Sequence, residues 1–234
     1  MLVYLLPLLS LLQSFALLGC AEETQVAPFP VYSLLMPEAE ILIDVGHGGI
    51  DGGTSHGSLL EKDINLQMGY QLYSALRDKK YNVAINRIGD YALSDDNRFP
   101  KMRSRHRRDL IQRKEIANRL KPKIMVSLHV NWSRRSSQSG GIVLHQKNAE
   151  SKNLAVHIQQ SLNKLYRTSH SVFHGKTYFL LNQTKCPTVI VEMGFISNPS
   201  DRKRLTDPVL QQELADTIAD GIDKYLNKIP LEVK

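Results

Sequence analysis

Apolar residues recur along this chain in two rhythms, short unbroken runs and four-residue repeats, and the two alternate. Ile41 to Val45 is an apolar run broken only by Asp44 and stopped by Gly46, which predicts a buried strand. From Glu61 to Lys80 the apolar residues Ile64, Met68, Leu72 and Leu76 keep the spacing of one helix face. Tyr81 to Ile85 then reads as a second strand. Arg103 to Leu120 predicts a strongly basic helix, with Leu110, Ile111, Ala117 and Leu120 for its inner side. Ile124 to Leu128, Gly141 to His145 and Thr188 to Val191 read as further strands, and Ala149 to Tyr166 as a helix. A closing helix from Val209 to Leu226 carries Leu210, Leu214, Ile218, Ile222 and Leu226 on one side. Strands alternating with helices predict a single α/β domain, residues 41–228, built on a mostly parallel sheet flanked by helices.

What precedes that domain is a different material. None of the 30 basic and 23 acidic residues falls in residues 1–20, which run apolar from Leu2 to Leu18 and end Gly19-Cys20. An apolar run before small residues has the grammar of an export signal. With Cys20 at the first mature position it resembles a bacterial lipobox. A cleaved signal, a lipoprotein signal and an uncleaved membrane anchor all remain open, because the segment lacks basic residues ahead of the apolar run. Residues 21–40, with Pro28, Pro30 and Pro37, read as a linker. Two cysteines exclude a disulfide scaffold and an all-cysteine zinc site. Cys186 reads as a packed thiol. The chain has no repeat of solenoid or propeller length.

The net charge of +7 raises the question of an anionic partner. Its densest stretch is Lys101, Arg103, Arg105, Arg107, Arg108, Arg113 and Lys114, read either as a solvated helix face or as a contact for anionic wall polymer or membrane. No nucleic-acid motif accompanies the charge, so a nucleic-acid partner is not expected.

Candidate chemistry collects where an open parallel sheet presents ligands, at the carboxyl ends of its strands. The first strand runs into Gly46-His47-Gly48-Gly49, and Glu61 opens the helix just beyond. The third runs into His129 within Ser127-Leu128-His129-Val130-Asn131, and the late strand into Glu192. Two imidazoles with one carboxylate form a common catalytic zinc shell, and a further carboxylate can take a proton from water. The remaining histidines, His56, His106, His145, His157, His170 and His174, read as packing or surface residues. The glycine turn lacks the Gly-Lys-Ser/Thr ending of a phosphate loop.

Asp44-Val45-Gly46-His47-Gly48-Gly49, Glu61-Lys62-Asp63, Ser127-Leu128-His129-Val130-Asn131 and Val191-Glu192-Met193-Gly194-Phe195-Ile196-Ser197-Asn198 occur in that order. Together they resemble the zinc-dependent N-acetylmuramoyl-L-alanine amidases. The resemblance implies a twisted, mostly parallel, phosphorylase/hydrolase-like sheet, with Zn2+ held by His47, Glu61 and His129 and with Glu192 as the catalytic carboxylate. It implies peptidoglycan as substrate, cut between N-acetylmuramic acid and L-alanine. Asn131 is expected near the site or in a structural turn. Only 62 residues separate His129 from Glu192, too few for the occluding helical insertion of many periplasmic relatives. A compact catalytic domain behind one export segment resembles the spore-cortex branch, whose cleavage allows muramic-δ-lactam to form. A vegetative autolysin or a non-catalytic wall-binding domain are the alternatives. The expected setting is outside the cytoplasm, at the membrane's outer face, the wall or the forespore envelope. Attachment to the membrane would be through the N-terminal segment, and a small amidase without wall-binding repeats is expected to need an activating or localising protein.

Overall fold

The computed structural model describes residues 38–95, 104–229 and 231. The expected export segment and nearly all of the expected linker lie outside the described residues, as do Lys101 and Arg103. Among the described residues no helix is long and apolar enough to cross a membrane.

The domain is a six-stranded sheet covered by helices on both faces. Its strands are β1 (Ile41–Val45), β4 (Val83–Ile85), β5 (Ile124–Asn131), β6 (Ile142–His145), β7 (Phe173–His174) and β8 (Thr188–Phe195), in spatial order β4-β1-β5-β8-β6-β7. Four of the five pairings are parallel and β6–β8 is antiparallel. A small hairpin, β2 (Ser55–His56) with β3 (Leu59–Leu60), lies between β1 and the first helix. The helices are α1 (Glu61–Asp78), α2 (Arg105–Leu120), α3 (Ala149–Tyr166), α4 (Phe179–Gln183), α5 (Pro199–Thr206) and α6 (Pro208–Leu226).

The chain leaves β1 through α1 to β4 on one side, then crosses by α2 to β5 on the other. The sheet therefore changes direction between β1 and β5, the place where open sheets of this kind hold their ligands. Alternation along each strand assigns the faces. Ile41, Ile43, Val45, Val126, Leu128, Val189, Val191 and Met193 join the main core under α1, α3 and α6. Leu42 and Met125 point the other way, against Ala117 of α2 and Leu180 of α4. Ile64, Met68, Leu72 and Leu76 are buried at the spacing that predicted α1.

Three features depart from the expectations. Both β5 and β8 continue past Leu128 and Val191, because pairing in the sheet outlasts the apolar run and carries His129 and Glu192 as ladder residues. On α2 the inner positions are Asp109, Arg113 and Ala117, while Leu120 is exposed. The hairpin, β7, α4 and α5 were not foreseen, being too short to show a period.

Candidate active site

The strand alternation that sends Leu42 and Met125 toward α2 sends Asp44, Ser127, His129 and Glu192 to the same face. His129 and Glu192 are register partners on adjacent strands, so their side chains emerge side by side at the carboxyl end of the sheet.

His47 reaches the same place from the glycine loop. Its backbone is left-handed, with φ 59°, which is unusual for a residue with a side chain. Gly53, with φ 66°, supports it sterically: a Cβ there would lie 2.5 Å from Glu61 Oε2 and 2.8 Å from His47 Cδ2. The loop also caps α1, which lacks a side-chain cap. Glu61 N–H donates to Thr54 O and Lys62 N–H to Gly52 O. Glu61 is thereby fixed in the first turn, where a carboxylate is favoured by the helix dipole.

Three of the four expected residues converge on one point. Glu61 Oε1 lies 3.1 Å from His47 Nε2 and 3.0 Å from His129 Nδ1, and the two rings stand edge to face with centroids 5.0 Å apart. Val130 N–H donates to the same oxygen at 3.0 Å, and Thr54 N–H to Oε2 at 2.8 Å. Beyond His47, Asp51 Oδ2 lies 3.0 Å from Nδ1, an ion-pair contact without the alignment of a hydrogen bond. A carboxylate behind a metal-binding imidazole commonly orients the ring. One ligand atom from each of His47, Glu61 and His129 falls within 4.8 Å of the others, so the trio can hold a metal ion. Tetrahedral zinc with bonds of about 2.0–2.1 Å spaces its ligands about 3.3 Å apart. The two contacts at 3.0 and 3.1 Å need to open only slightly.

The charges fit such a site. Burial opposes the charged form of His47, but Glu61 and Asp51 outweigh it and push the imidazole up to about 9. Burial likewise opposes ionisation of Glu61, and the hydrogen bonds and charges of His129 and His47 overcome it, holding the carboxyl well below the usual range. Glu192 behaves differently. Burial raises its pKa above the ordinary carboxylate value, helped by the negative charge of Glu61 and opposed by His129. Two neighbouring carboxylates are thus pushed in opposite directions, the pattern that separates an anchoring carboxylate from a proton-transfer group.

These residues line a cleft of about 490 Å³. Its floor holds His47, Glu61, His129 and Glu192, and Tyr178, Phe179 and Leu180 from the start of α4 form one wall. The chain between β5 and β8 supplies this wall without covering the centre, since the His47 and His129 side chains keep 19% and 22% of their surface exposed. A larger cavity, about 740 Å³, lies away from this chemistry at the opposite end of the sheet, around Glu40, Tyr81 and Lys123.

A model of the N-acetylmuramoyl-L-alanine amidase family matches residues 41–224. The chain belongs to this family. It is 33% identical over 201 residues to the germination-specific N-acetylmuramoyl-L-alanine amidase of Bacillus subtilis (strain 168), covering 84% of each protein. The CwlD amidase from Clostridioides difficile, solved in complex with the GerS lipoprotein, superimposes with a TM-score of 0.75 at 33% identity, over 80% of this chain and 98% of that one. The catalytic domain of the CwlV amidase from Bacillus (Paenibacillus) polymyxa var. colistinus gives a TM-score of 0.67 at 29% identity, over 80% and 97%.

Within this amidase the remaining sequence expectations divide. Asn131 lines the cleft, and its side chain accepts a hydrogen bond from Trp132 N–H at 2.7 Å, a turn role. Cys186 is a free thiol packed beside the Leu42 cluster, its pKa raised by burial. His106 is exposed, as a surface residue is expected to be, but its surface belongs to the cleft rim. It lines the cleft at the start of α2, with Nδ1 3.8 Å from Asp51 Oδ2. Arg113 departs from expectation, since it is 3% exposed and turns into the protein rather than joining a basic surface. Lys114 pairs with Glu115 at 2.6 Å, while Arg105 and Arg107 are exposed. Sequence reasoning missed Asp51, Tyr178 and Trp132. Asp51 stood four residues after His47 in the glycine loop, the one signal that could have singled it out.

Proposed function

We propose that this amidase is a zinc hydrolase in which His47, Glu61 and His129 hold the ion and Glu192 is the catalytic carboxylate. The carrying observation is the convergence of the three ligand atoms beside a fourth, separately tuned carboxylate in one open cleft. When bound, zinc acts as a Lewis acid, lowering the pKa of a water molecule and polarising a carbonyl. The cleft residues do the rest. Asp51 orients His47, and Thr54 and Val130 N–H groups hold both oxygens of Glu61 in place. Glu192, its pKa raised above the ordinary carboxylate value by burial and so a stronger base when ionised, accepts the proton of the attacking water and delivers it to the leaving amine nitrogen. Tyr178 and Phe179 offer an apolar wall to the substrate.

The substrate is peptidoglycan, and the bond is the amide joining N-acetylmuramic acid to L-alanine. Residues 41–228 are the catalytic unit, and residues 1–20 take it out of the cytoplasm, by cleaved signal, lipid on Cys20 or membrane anchor. Likeness to the germination-specific enzyme, with the short spacing from His129 to Glu192, supports work on spore cortex, where the cut permits muramic-δ-lactam formation. The CwlD relative solved with a lipoprotein supports a protein partner for this chain as well.

The deciding experiment is mass spectrometry of products from purified peptidoglycan, with and without a zinc chelator. Free stem peptides beginning with L-alanine, lost on chelation and restored by zinc, are expected. Cleavage inside the stem would make the chain a peptidase, and undiminished activity in metal-free protein would remove zinc.

A further inference from the structure

Two buried guanidinium groups lie beneath the metal-ligand trio, and neither touches the cleft. Arg87 follows β4 and is 1% exposed. Its Nη2 donates to Gly46 O at 2.9 Å and to Lys62 O at 2.8 Å, its Nε to Val45 O at 3.2 Å and its Nη1 to Gly89 O at 2.9 Å. Arg113 comes from α2. Its Nη2 donates to His47 O at 2.8 Å, its Nη1 to Val45 O and Asp44 Oδ1, both at 2.7 Å, and its Nε to Asp109 Oδ2 at 2.5 Å. Asp44 is itself held by the Ser127 hydroxyl at 2.5 Å and by the Asn86 amide.

The targets of these donors are specific. Between them the two side chains bind the carbonyls of three consecutive residues, Val45, Gly46 and His47, which end β1 and lead into the left-handed turn. A single nitrogen of Arg87 joins the residue before His47 to the residue after Glu61. That nitrogen therefore bridges the backbones that carry two of the three ligands. Asn65 adds a weaker bridge, reaching Gly46 O at 3.3 Å and Glu61 Oε1 at 3.4 Å. Arg113 closes the other side by fixing the carbonyl of His47, whose φ of 59° persists only if its surroundings enforce it. Two guanidiniums with Asp44 and Asp109 leave the cluster without net charge, as burial of this kind requires.

We infer that Arg87 and Arg113 are positioning residues that preorganise the metal centre, Arg87 by setting the separation of His47 from Glu61 and Arg113 by locking the turn that aims His47. The inference rests on the proposed metal reading. A planar fork with several donors suits this task, and an ammonium with one nitrogen cannot reproduce it.

The test is zinc affinity of the metal-free full chain, measured by competition with a chromogenic chelator well below the melting temperature, together with the visible absorption of the Co2+ form. Outer partners of metal ligands typically contribute about 10–100-fold in affinity. Arg87→Lys and Arg113→Lys should each weaken zinc at least about tenfold and change the Co2+ spectrum, while the folded protein keeps its circular dichroism. Wild-type zinc affinity and an unchanged Co2+ spectrum in both variants, with only a lowered Tm, would overturn the inference and leave the arginines structural. No zinc binding by the wild-type chain would instead overturn the metal reading itself. If the variants do not fold, 15N-arginine spectra of the wild type decide. Slowly exchanging guanidinium protons on both residues before zinc is added are expected, and rapid exchange that slows only with zinc would refute preorganisation.

Discussion

Gly46 offers a sharp test, because one methyl group there reports on the seat of His129. A Cβ at this position would lie 2.6 Å from His129 Cε1, 2.6 Å from Leu128 O and 2.7 Å from His129 Nε2. The backbone cannot simply withdraw, since Gly46 N–H donates to that same Leu128 O at 3.1 Å and its carbonyl is held by Arg87. The imidazole must yield, by about 0.8 Å, to restore an ordinary carbon–carbon contact of about 3.4 Å, and the Leu128 carbonyl, equally close, must shift with it, moving the strand that carries His129. Misplacement of a reacting group by about 1 Å costs roughly 100-fold in rate, or about 2.7 kcal/mol. Overpacking of a tight site costs a further ~1–3 kcal/mol of stability, which lowers Tm by about 2–4 °C per kcal/mol in a domain of this size. Gly46→Ala should therefore lose about two orders of magnitude in kcat/KM, measured as stem-peptide release from a soluble muropeptide, and should bind zinc more weakly. Gly57→Ala is the control. Its Cβ would meet nothing within 4 Å, so it should show only the ~1–2 kcal/mol strain of its left-handed backbone and normal turnover. A Gly46→Ala enzyme with kcat/KM within about threefold of wild type, its zinc intact, would refute the steric argument.

Glu192→Ala should keep its zinc and lose about 10²–10⁴-fold in kcat; loss of zinc would make Glu192 a ligand, and normal turnover would remove it from the mechanism. In metal-free protein the His47 pKa, raised from 6.5 to about 9, makes the stabilisation by its imidazolium complete below pH 6.5 and lost as pH rises through about 9. Urea midpoints of the metal-free chain should accordingly fall across that window while those of the zinc form do not, because the metal takes a neutral imidazole; parallel profiles would refute the assignment. Neutralising the exposed pair Arg105 and Arg107 should reduce salt-sensitive binding to intact sacculi without changing hydrolysis of a soluble muropeptide. Unchanged binding would mark that face as merely solvated.

Much of this protein was legible without coordinates, and the reason is periodicity. The run Ile41–Val45, the repeat through Leu76 and the closing helix to Leu226 carry enough turns or alternations to reveal their class, and together they imply a parallel sheet. Once the sheet is granted, the rule that ligands meet strand carboxyl ends gathers His47, His129 and Glu192, and Glu61 follows as the residue opening the next helix. Local pattern sufficed there because each of these residues follows directly on an apolar run or opens a periodic helix, even where the strand itself continues beyond the run.

Tertiary structure alone decided how those residues are held. Arg107 and Arg113 look alike in a basic helix, yet one is exposed and the other is buried against Asp44, sixty-nine positions away. No spacing within α2 encodes that difference; it arises because alternation along β1 turns Asp44 toward α2. Arg87 binding Gly46 and Lys62, and Asp51 standing behind His47, depend in the same way on where separate segments meet. A one-dimensional pattern records which face a residue takes, whereas the partner it finds there is a property of the packed sheet and helices.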